Sequence, residues 1–494
     1  MRIHHHLCFT VLGSSWALAP VLADLPAHPE QITFAPFNFI PPKAADFRHT
    51  LPSGVAVYLA PSHEFPLIDL SLTFRGGAYL DSADKIGVAG ATGAMMRRGG
   101  TKAMPPAQLD EEFDFLAANA GTGVGGTESS ATLNCLASNF DQAFALFMDM
   151  VRNPGFDAER FAIYKDEVIE SMKQRNDNAS AISGREWSRL LYGEDHFQGR
   201  DATGAMIQTM TVDDLRAMHE RLFHPAPGHL FIAVSGDFDP STMLAKLEAA
   251  LNDWPAGAPV SDPPAPTHAL TPGLYHIEKD IPQGKVVIGM RGIQRDDPDF
   301  FPALLMNDIL GGGGFTSRIM SRVRSDEGLA YSAGSQMQAG VYYPGEFRAG
   351  FESKNPTVAL ATKIVYEEIE RIRTEPVTEE SLEMSKASFI ERFPRTFESK
   401  PSMLRVFVSD ELTRRDPNYW QTYRDNVKSV TPGDVQRVAR ERLTSGSLAI
   451  FIVGKWAEIY PGDLDGRAKM SDFFGGNVNH IPLRDPLTLE PMEN

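Results

Sequence analysis

The strongest constraint on the fold is a pattern that the sequence carries twice, about 220 residues apart. Thr211-Val212-Asp213-Asp214-Leu215 opens a helical pattern that leads to Leu230-Phe231-Ile232-Ala233-Val234 and then Gly236. Thr431-Pro432-Gly433-Asp434-Val435 opens another, which leads to Leu448-Ala449-Ile450-Phe451-Ile452-Val453 and then Gly454. In each opening a Thr stands where its hydroxyl can cap the first free N–H groups, and an Asp sits in the first turn, where the helix dipole favours negative charge. Each opening is followed by an apolar, β-rich run that ends in Gly, as a buried strand does. A period this long does not fit a solenoid repeat. It predicts duplication of a whole α+β unit.

Between the two copies the chain is rich in proline: Pro255, Pro259, Pro263, Pro264, Pro266 and Pro272. That density predicts an extended, semi-rigid linker over 254–273. It separates a half at 24–253 from a half at 274–480, with a tail at 481–494. Strands are expected at 55–59, 69–74 and 286–290, and helices at 140–151 and 302–310. The beginnings of the halves agree less closely than their ends. Each half is expected to hold a sheet with helices on one face. At about 150 residues per domain, the length fits three or four domains.

Residues 1–23 read as a secretory signal peptide. Arg2 and His4, His5 and His6 form a weakly basic head, 7–22 is mostly apolar, and Val21-Leu22-Ala23 fits a cleavage site before Asp24. Pro20, Pro26 and Pro29 argue against a buried helix here, and Cys8 is misplaced for a lipid anchor. The expectation is export, into the periplasm if the source is Gram-negative. Cys135 would then be the one remaining cysteine, so no internal disulfide forms even in an oxidising compartment. The charge balance is acidic, 47 Lys plus Arg against 64 Asp plus Glu. This argues against a nucleic-acid surface. No apolar run reaches the roughly 18–20 residues of a membrane span, so no integral membrane segment is expected.

The segment Gly87-Val88-Ala89-Gly90-Ala91-Thr92-Gly93-Ala94-Met95-Met96-Arg97-Arg98-Gly99-Gly100-Thr101 resembles the metal helix of the pitrilysin/insulinase family of inverted zinc peptidases. In that family a Gly-[VL]-Ala tripeptide leads into H-x-x-E-H, and Gly-Thr closes the segment. Two His four apart share a helical face and bind zinc through imidazole nitrogen, while the Glu serves as general base on the zinc-bound water. In this sequence the three positions are Gly90, Gly93 and Ala94. None can bind a metal or accept a proton. The resemblance puts the third metal ligand at Glu170, which alone cannot hold a catalytic zinc and is a relic or a solvated helix residue. Two glycines inside a helix cost about 1 kcal/mol each; the close approach of a partner or substrate backbone would account for them. The evenly spaced His219, His224 and His229 flank a helix-to-strand turn rather than share a helical face. Cys135 lies in a strand-like run and is expected to be packed. No Ser-His-Asp order or Gly-x-Ser-x-Gly elbow stands out.

The second half keeps the other part of the family signature. Gly311-Gly312-Gly313-Gly314-Phe315-Thr316-Ser317-Arg318 is followed by Val323-Arg324-Ser325-Asp326-Glu327-Gly328-Leu329-Ala330-Tyr331-Ser332. This resembles the family's Gly-rich turn, its Ser-Arg pair and its V-R-x-x-x-G-L-A-Y-S segment. No Gly-Lys-[Ser/Thr] follows the glycines, so a phosphate loop is not indicated. The resemblance implies that Arg324 and Tyr331 hold the substrate carbonyl and the developing oxyanion of a zinc site. It implies that Gly313, Gly314, Ser317 and Arg318 contact substrate. The guanidinium and the phenol are both donors, as that role requires.

Together these readings predict an α+β clamshell of two homologous halves joined by a Pro-rich linker. The implied function is that of a zinc-less subunit in a two-chain metallopeptidase. A homologous H-x-x-E-H-containing partner would supply the zinc, and the substrate would be a peptide or unfolded protein. The alternative is an inactive structural or chaperone-like member of the same family.

Overall fold

Two strand patterns in the sequence produce two kinds of strand. In the computed structural model, which describes His28 and residues 39–493, the continuous apolar runs become strands buried on both faces, and the alternating runs become strands buried on one. The expected leader at 1–23 lies outside the described residues.

The unit Pro41–Asn494 contains two six-stranded sheets. The first is built from β1 (Arg48–Thr50), β2 (Ala56–Pro61), β3 (Leu67–Arg75), β4 (Asn119–Val124), β5 (Glu128–Leu136) and β6 (Leu230–Gly236), in the order β1-β2-β6-β3-β5-β4. The second is built from β7 (Gly273–Glu278), β8 (Gln283–Arg291), β9 (Ala333–Gln338), β10 (Glu346–Lys354), β11 (Ala449–Gly454) and β12 (Val478–His480), in the order β12-β7-β11-β8-β10-β9. The parallel pair β2–β6 has its counterpart in β7–β11, and the antiparallel pair β3–β5 in β8–β10. Corresponding strands have equal lengths: nine residues in β3 and β8, and six in β2 and β7. The beginnings of the halves therefore match closely, contrary to the sequence reading. Only the outer edge differs. β1 precedes β2 and pairs with it antiparallel, whereas β12 follows β11 in sequence and pairs with β7 in parallel. The α+β fold of two homologous sheet-and-helix halves is the expected one.

Nine helices matter for the site: α1 (Val88–Arg98), α2 (Phe140–Arg152), α3 (Ala158–Lys173), α4 (Ala179–Tyr192), α5 (Val212–Leu222), α6 (Phe300–Asn307), α7 (Val358–Thr374), α8 (Lys400–Leu412) and α9 (Pro432–Arg442). The repeated Thr–Asp openings start α5 and α9, and both form reciprocal capping boxes. Asp214 N donates to Thr211 Oγ1 at 3.2 Å and Thr211 N to Asp214 Oδ2 at 2.8 Å. At the second copy the distances are 3.2 and 2.9 Å. Each box satisfies two backbone donors that a helix start leaves free.

Each sheet buries one face against helices of its own half. Ile68, Leu70, Leu72 and Phe74 of β3 do so in the first core, and Ile450 and Ile452 of β11 in the second. The other face is covered by a helix from the opposite half. Ile182, Trp187 and Leu191 of α4 pack on Val287, Phe451 and Val453 of the second sheet. Met403, Leu404, Phe407 and Val408 of α8 pack on Ala56, Tyr58, Phe231 and Ala233 of the first. This exchange explains why β6 and β11 read as unbroken apolar runs, since alternate residues of one strand serve two cores. Trp187 Nε1 donates to Glu346 Oε2 at 2.8 Å inside the first contact, and Tyr58 Oη donates to Glu411 Oε2 at 2.5 Å in the second.

No helix or strand lies between Leu251 and Gly273, and the Pro-rich stretch is fastened along its length. Asp262 pairs with Arg75 at 3.1 Å and with Arg414 at 2.8 Å, while Tyr79 Oη donates to Ser261 O at 2.5 Å.

Candidate functional site

The metal-helix segment forms α1, and Asp81 fixes its start. The Asp81 carboxylate, 5% exposed, accepts Gly87 N and Ala89 N at 2.8 Å each. Burial raises its pKa, and these two backbone bonds oppose that rise. The far end of α1 is tied to α3 by Arg98, which pairs with Glu167 at 2.9 Å.

The middle of α1 decides the chemistry. A methyl group on Gly93 would lie 2.7 Å from Val124 N and 2.9 Å from Gly123 C, both backbone atoms of β4. Thr122 Oγ1 donates to Gly93 O at 2.6 Å and holds the helix there. Gly93, the position that the resemblance gives to the general base, therefore has no room for a side chain. The backbone that comes close is the chain's own β4 rather than a partner or substrate, as the sequence reading supposed. At Gly90 a methyl would meet nothing within 4 Å, and Ala94 is half-buried. Glu170 lies near the end of α3 with its side chain 64% exposed and paired with Lys173 at 2.7 Å. Among the described residues no three His, Cys, Asp or Glu side chains come together as a metal centre.

The three evenly spaced histidines are buried around the turn from α5 to β6. His219 Nε2 bonds Val151 O at 2.7 Å, His229 Nε2 bonds Leu222 O at 2.8 Å, and the His224 and His229 rings stack at 3.7 Å. Burial lowers the pKa of all three, that of His229 to about 4. Cys135 is buried in β5, and burial raises its thiol pKa to about 11, which leaves it a weak nucleophile.

In the second half, α6 runs into a π-helical turn at Asp308–Gly312. The chain then passes through a 3-10 turn at Gly314–Thr316 and a second π-helical turn at Ser321–Asp326. Widened turns of this kind are rare and concentrate at functional sites. Gly314 adopts φ +65°, a conformation that favours glycine. Gly313 N donates to Asp308 O at 2.8 Å. Gly311 mirrors Gly93, since a methyl there would lie 2.3 Å from Ser335 N on the edge strand β9. Gly311, Gly312 and Gly314 line a cavity of about 530 Å³ with Ser183 and Trp187 of α4 and Gly350 of β10.

The structure brings Arg324 and Tyr331 together. The Arg324 guanidinium carbon stands 4.7 Å from the Tyr331 ring centroid and 4.7 Å from that of Phe315. Tyr331 is 85% exposed and Phe315 69%. Among the described residues, no side chain or carbonyl accepts a hydrogen bond from the Arg324 side chain. Two other expected contact residues are placed differently. Ser317 is buried, with its hydroxyl donated to Gly314 O at 2.7 Å, so it closes the turn. Arg318 is half-buried, its Nη1 has no partner, and burial lowers its pKa. No hydrogen bond, ion pair or ring contact links Gly90, Gly93, Ala94 or Glu170 to the Arg324 cluster among the described residues. Phe315 is the residue the sequence reading passed over. It stands inside the same motif, but only the folded turn shows which of its neighbours reaches Arg324.

The paired sheet-and-helix halves and the ligand-free metal helix define a metallopeptidase-like chain. Residues 209–389 match the family model described as "Peptidase M16 inactive domain". The chain is similar to a crystal structure of a peptidase M16 inactive domain from Pseudomonas fluorescens, at 25% identity and TM-score 0.72, covering 83% of this chain and 97% of that one. It is also similar to the "Non-peptidase homolog YmxG" of Helicobacter pylori, at 22% identity over 404 residues, which span 81% of this chain and 91% of that protein. The periplasmic protease PqqL of Escherichia coli shares the fold, at TM-score 0.70 and 13% identity; the match covers 92% of this chain and 49% of PqqL. Residues 209–389 thus match an M16 inactive domain, and most of the chain is similar to M16-type proteins. Among the described residues no helix is long and apolar enough to cross a membrane.

Proposed function

We propose that this chain is the zinc-less subunit of a two-chain metallopeptidase that cleaves peptides or unfolded proteins. A homologous chain with an intact H-x-x-E-H supplies the zinc and the general base. This chain supplies Arg324 and Tyr331, with Gly313 and Gly314 bordering the substrate. The observation that carries the reading is the contrast between the two halves. The general-base position is closed against β4 at Gly93, while a half-buried Arg324 stands beside an exposed Tyr331, with no hydrogen-bond acceptor for either side chain among the described residues. Donors of this kind, held toward the place where negative charge develops, stabilise a tetrahedral intermediate. Arg324 and Tyr331 make their contribution only when a partner's zinc-bound water faces them. The leader expected at 1–23 from the sequence, and the periplasmic location named for PqqL, support a periplasmic complex if the source is Gram-negative.

The test is affinity capture of the protein from its native extract, followed by mass spectrometry, zinc analysis and a peptide-cleavage assay. The expected result is a stoichiometric H-x-x-E-H-containing partner with about one zinc per pair. In that complex Arg324→Ala and Tyr331→Phe each lower the cleavage rate by roughly 10²-fold or more, the size seen when one oxyanion donor is removed. A zinc-free protein without partner that binds unfolded peptide and leaves it intact would favour the chaperone-like reading instead.

A further inference from the structure

Arg324 is a long, half-buried side chain in a π-helical turn, and among the described residues no charged group pairs with it. Free in water it would sample many rotamers, and a donor that wanders stabilises little charge. Among the described residues its guanidinium lies over two aromatic rings, Phe315 and Tyr331. We propose that Phe315 is a positioning residue, which holds the Arg324 guanidinium beside Tyr331 so that the two donors keep a fixed relation. The proposal rests on the reading that Arg324 and Tyr331 serve a shared peptidase site, and it extends that reading to a third residue.

Phe315 is itself well anchored. Its neighbour Gly314 takes the left-handed conformation that turns the chain. Ser317 N and Ser317 Oγ both donate to Gly314 O, at 3.1 and 2.7 Å. Ser321 Oγ donates to Phe315 O at 3.3 Å. The backbone is thus pinned on both sides of a ring that stays 69% exposed. A Phe held in solvent by a braced turn buries little and contributes little to the core. Its ring centroid lies 4.7 Å from the Arg324 guanidinium carbon, the same distance as that of Tyr331. Guanidinium stacks on aromatic faces while its N–H groups, which lie in its plane, remain free to donate. Each exposed stack shifts occupancy about two- to fivefold. Two stacks together are what restrain this side chain, and removing one releases it.

The test uses the full chain and phenylglyoxal, which modifies accessible arginine guanidinium groups, with the rate at Arg324 followed by peptide mapping. Phe315→Ala is expected to raise that rate about two- to fivefold while the thermal midpoint stays unchanged, and Phe315→Tyr to restore the slow rate. An unchanged rate in Phe315→Ala overturns the proposal, as does a Phe315→Tyr variant that reacts as fast as the alanine variant. In the captured complex Phe315→Ala is expected to lower kcat several-fold with KM little changed. If Arg324→Ala leaves cleavage intact there, the functional reading fails. The modification rates then still decide whether Phe315 restrains Arg324.

Discussion

Arg324 and Tyr331, seven residues apart in sequence, meet with the guanidinium carbon 4.7 Å from the ring centroid, and neither belongs to the core. Arg324 lies in the second π-helical turn, which ends at Asp326, and the chain reaches Tyr331 just before β9, so local geometry alone makes the contact. Substitution here is expected to be nearly silent in stability. Arg324→Ala and Tyr331→Phe should each shift unfolding by no more than about 0.5 kcal/mol in a urea titration, as exposed sites do. A larger loss would mean that the pair supports the fold, and any effect on cleavage would need another explanation.

Gly90 and Gly93 should respond with opposite sign. Gly90→Ala fills open space in a helix and should stabilise by about 0.5–1 kcal/mol. Gly93→Ala gains the same propensity but drives a methyl into the β4 backbone, and overpacking of that kind costs about 1–3 kcal/mol. Urea midpoints at neutral pH decide this. By the same geometry, rebuilding H-x-x-E-H at Gly90, Gly93 and Ala94 should give a destabilised chain rather than a zinc peptidase.

Stability should fall on mild acidification. His196, His219, His224, His229 and His276 all have their pKa lowered, in each case chiefly by burial. The unfolded chain therefore binds protons first. Stability is complete above about pH 6.5 and declines as the pH drops toward the folded values, near 4 for His229. That histidine alone accounts for at most roughly 3 kcal/mol. Urea unfolding at several pH values should show the slope. His229→Gln, which can still donate to the Leu222 carbonyl, should flatten it.

The exchanged helices make each half dependent on the other. Trp187→Phe removes the donor to Glu346, which is 8% exposed, and should cost about 1–3 kcal/mol. Trp187→Ala also leaves a cavity and should cost about 3–5 kcal/mol. Residues 41–253 and 274–493 produced separately should each bind a hydrophobic dye and lack a cooperative melt. Two halves that each unfold cooperatively at the midpoint of the whole chain would contradict this.

Much of the fold was legible because it follows from local chemistry. Thr211 and Thr431 cap helices wherever they are placed, since a hydroxyl near free N–H groups needs only the next three residues. The runs ending at Gly236 and Gly454 read as buried strands because apolar β-branched residues leave few other places for such a segment. The match between the beginnings of the halves was missed. β7 opens right after the prolines with the mixed sequence Gly273-Leu274-Tyr275-His276-Ile277-Glu278, and its pairing to β11 spans the whole second half.

The sequence by itself determined the duplicated α+β unit, the absence of metal-binding side chains at Gly90, Gly93 and Ala94, and the short spacing of Arg324 and Tyr331. These depend on residue identity and short spacing. Only the tertiary structure decided that Gly93 is closed by β4, that Phe315 shares Arg324 with Tyr331, and that α4 and α8 cover each other's sheets. Each of these depends on backbone approach between segments distant in sequence, or on which way a turn projects its side chains. Spacing along a chain carries no measure of either.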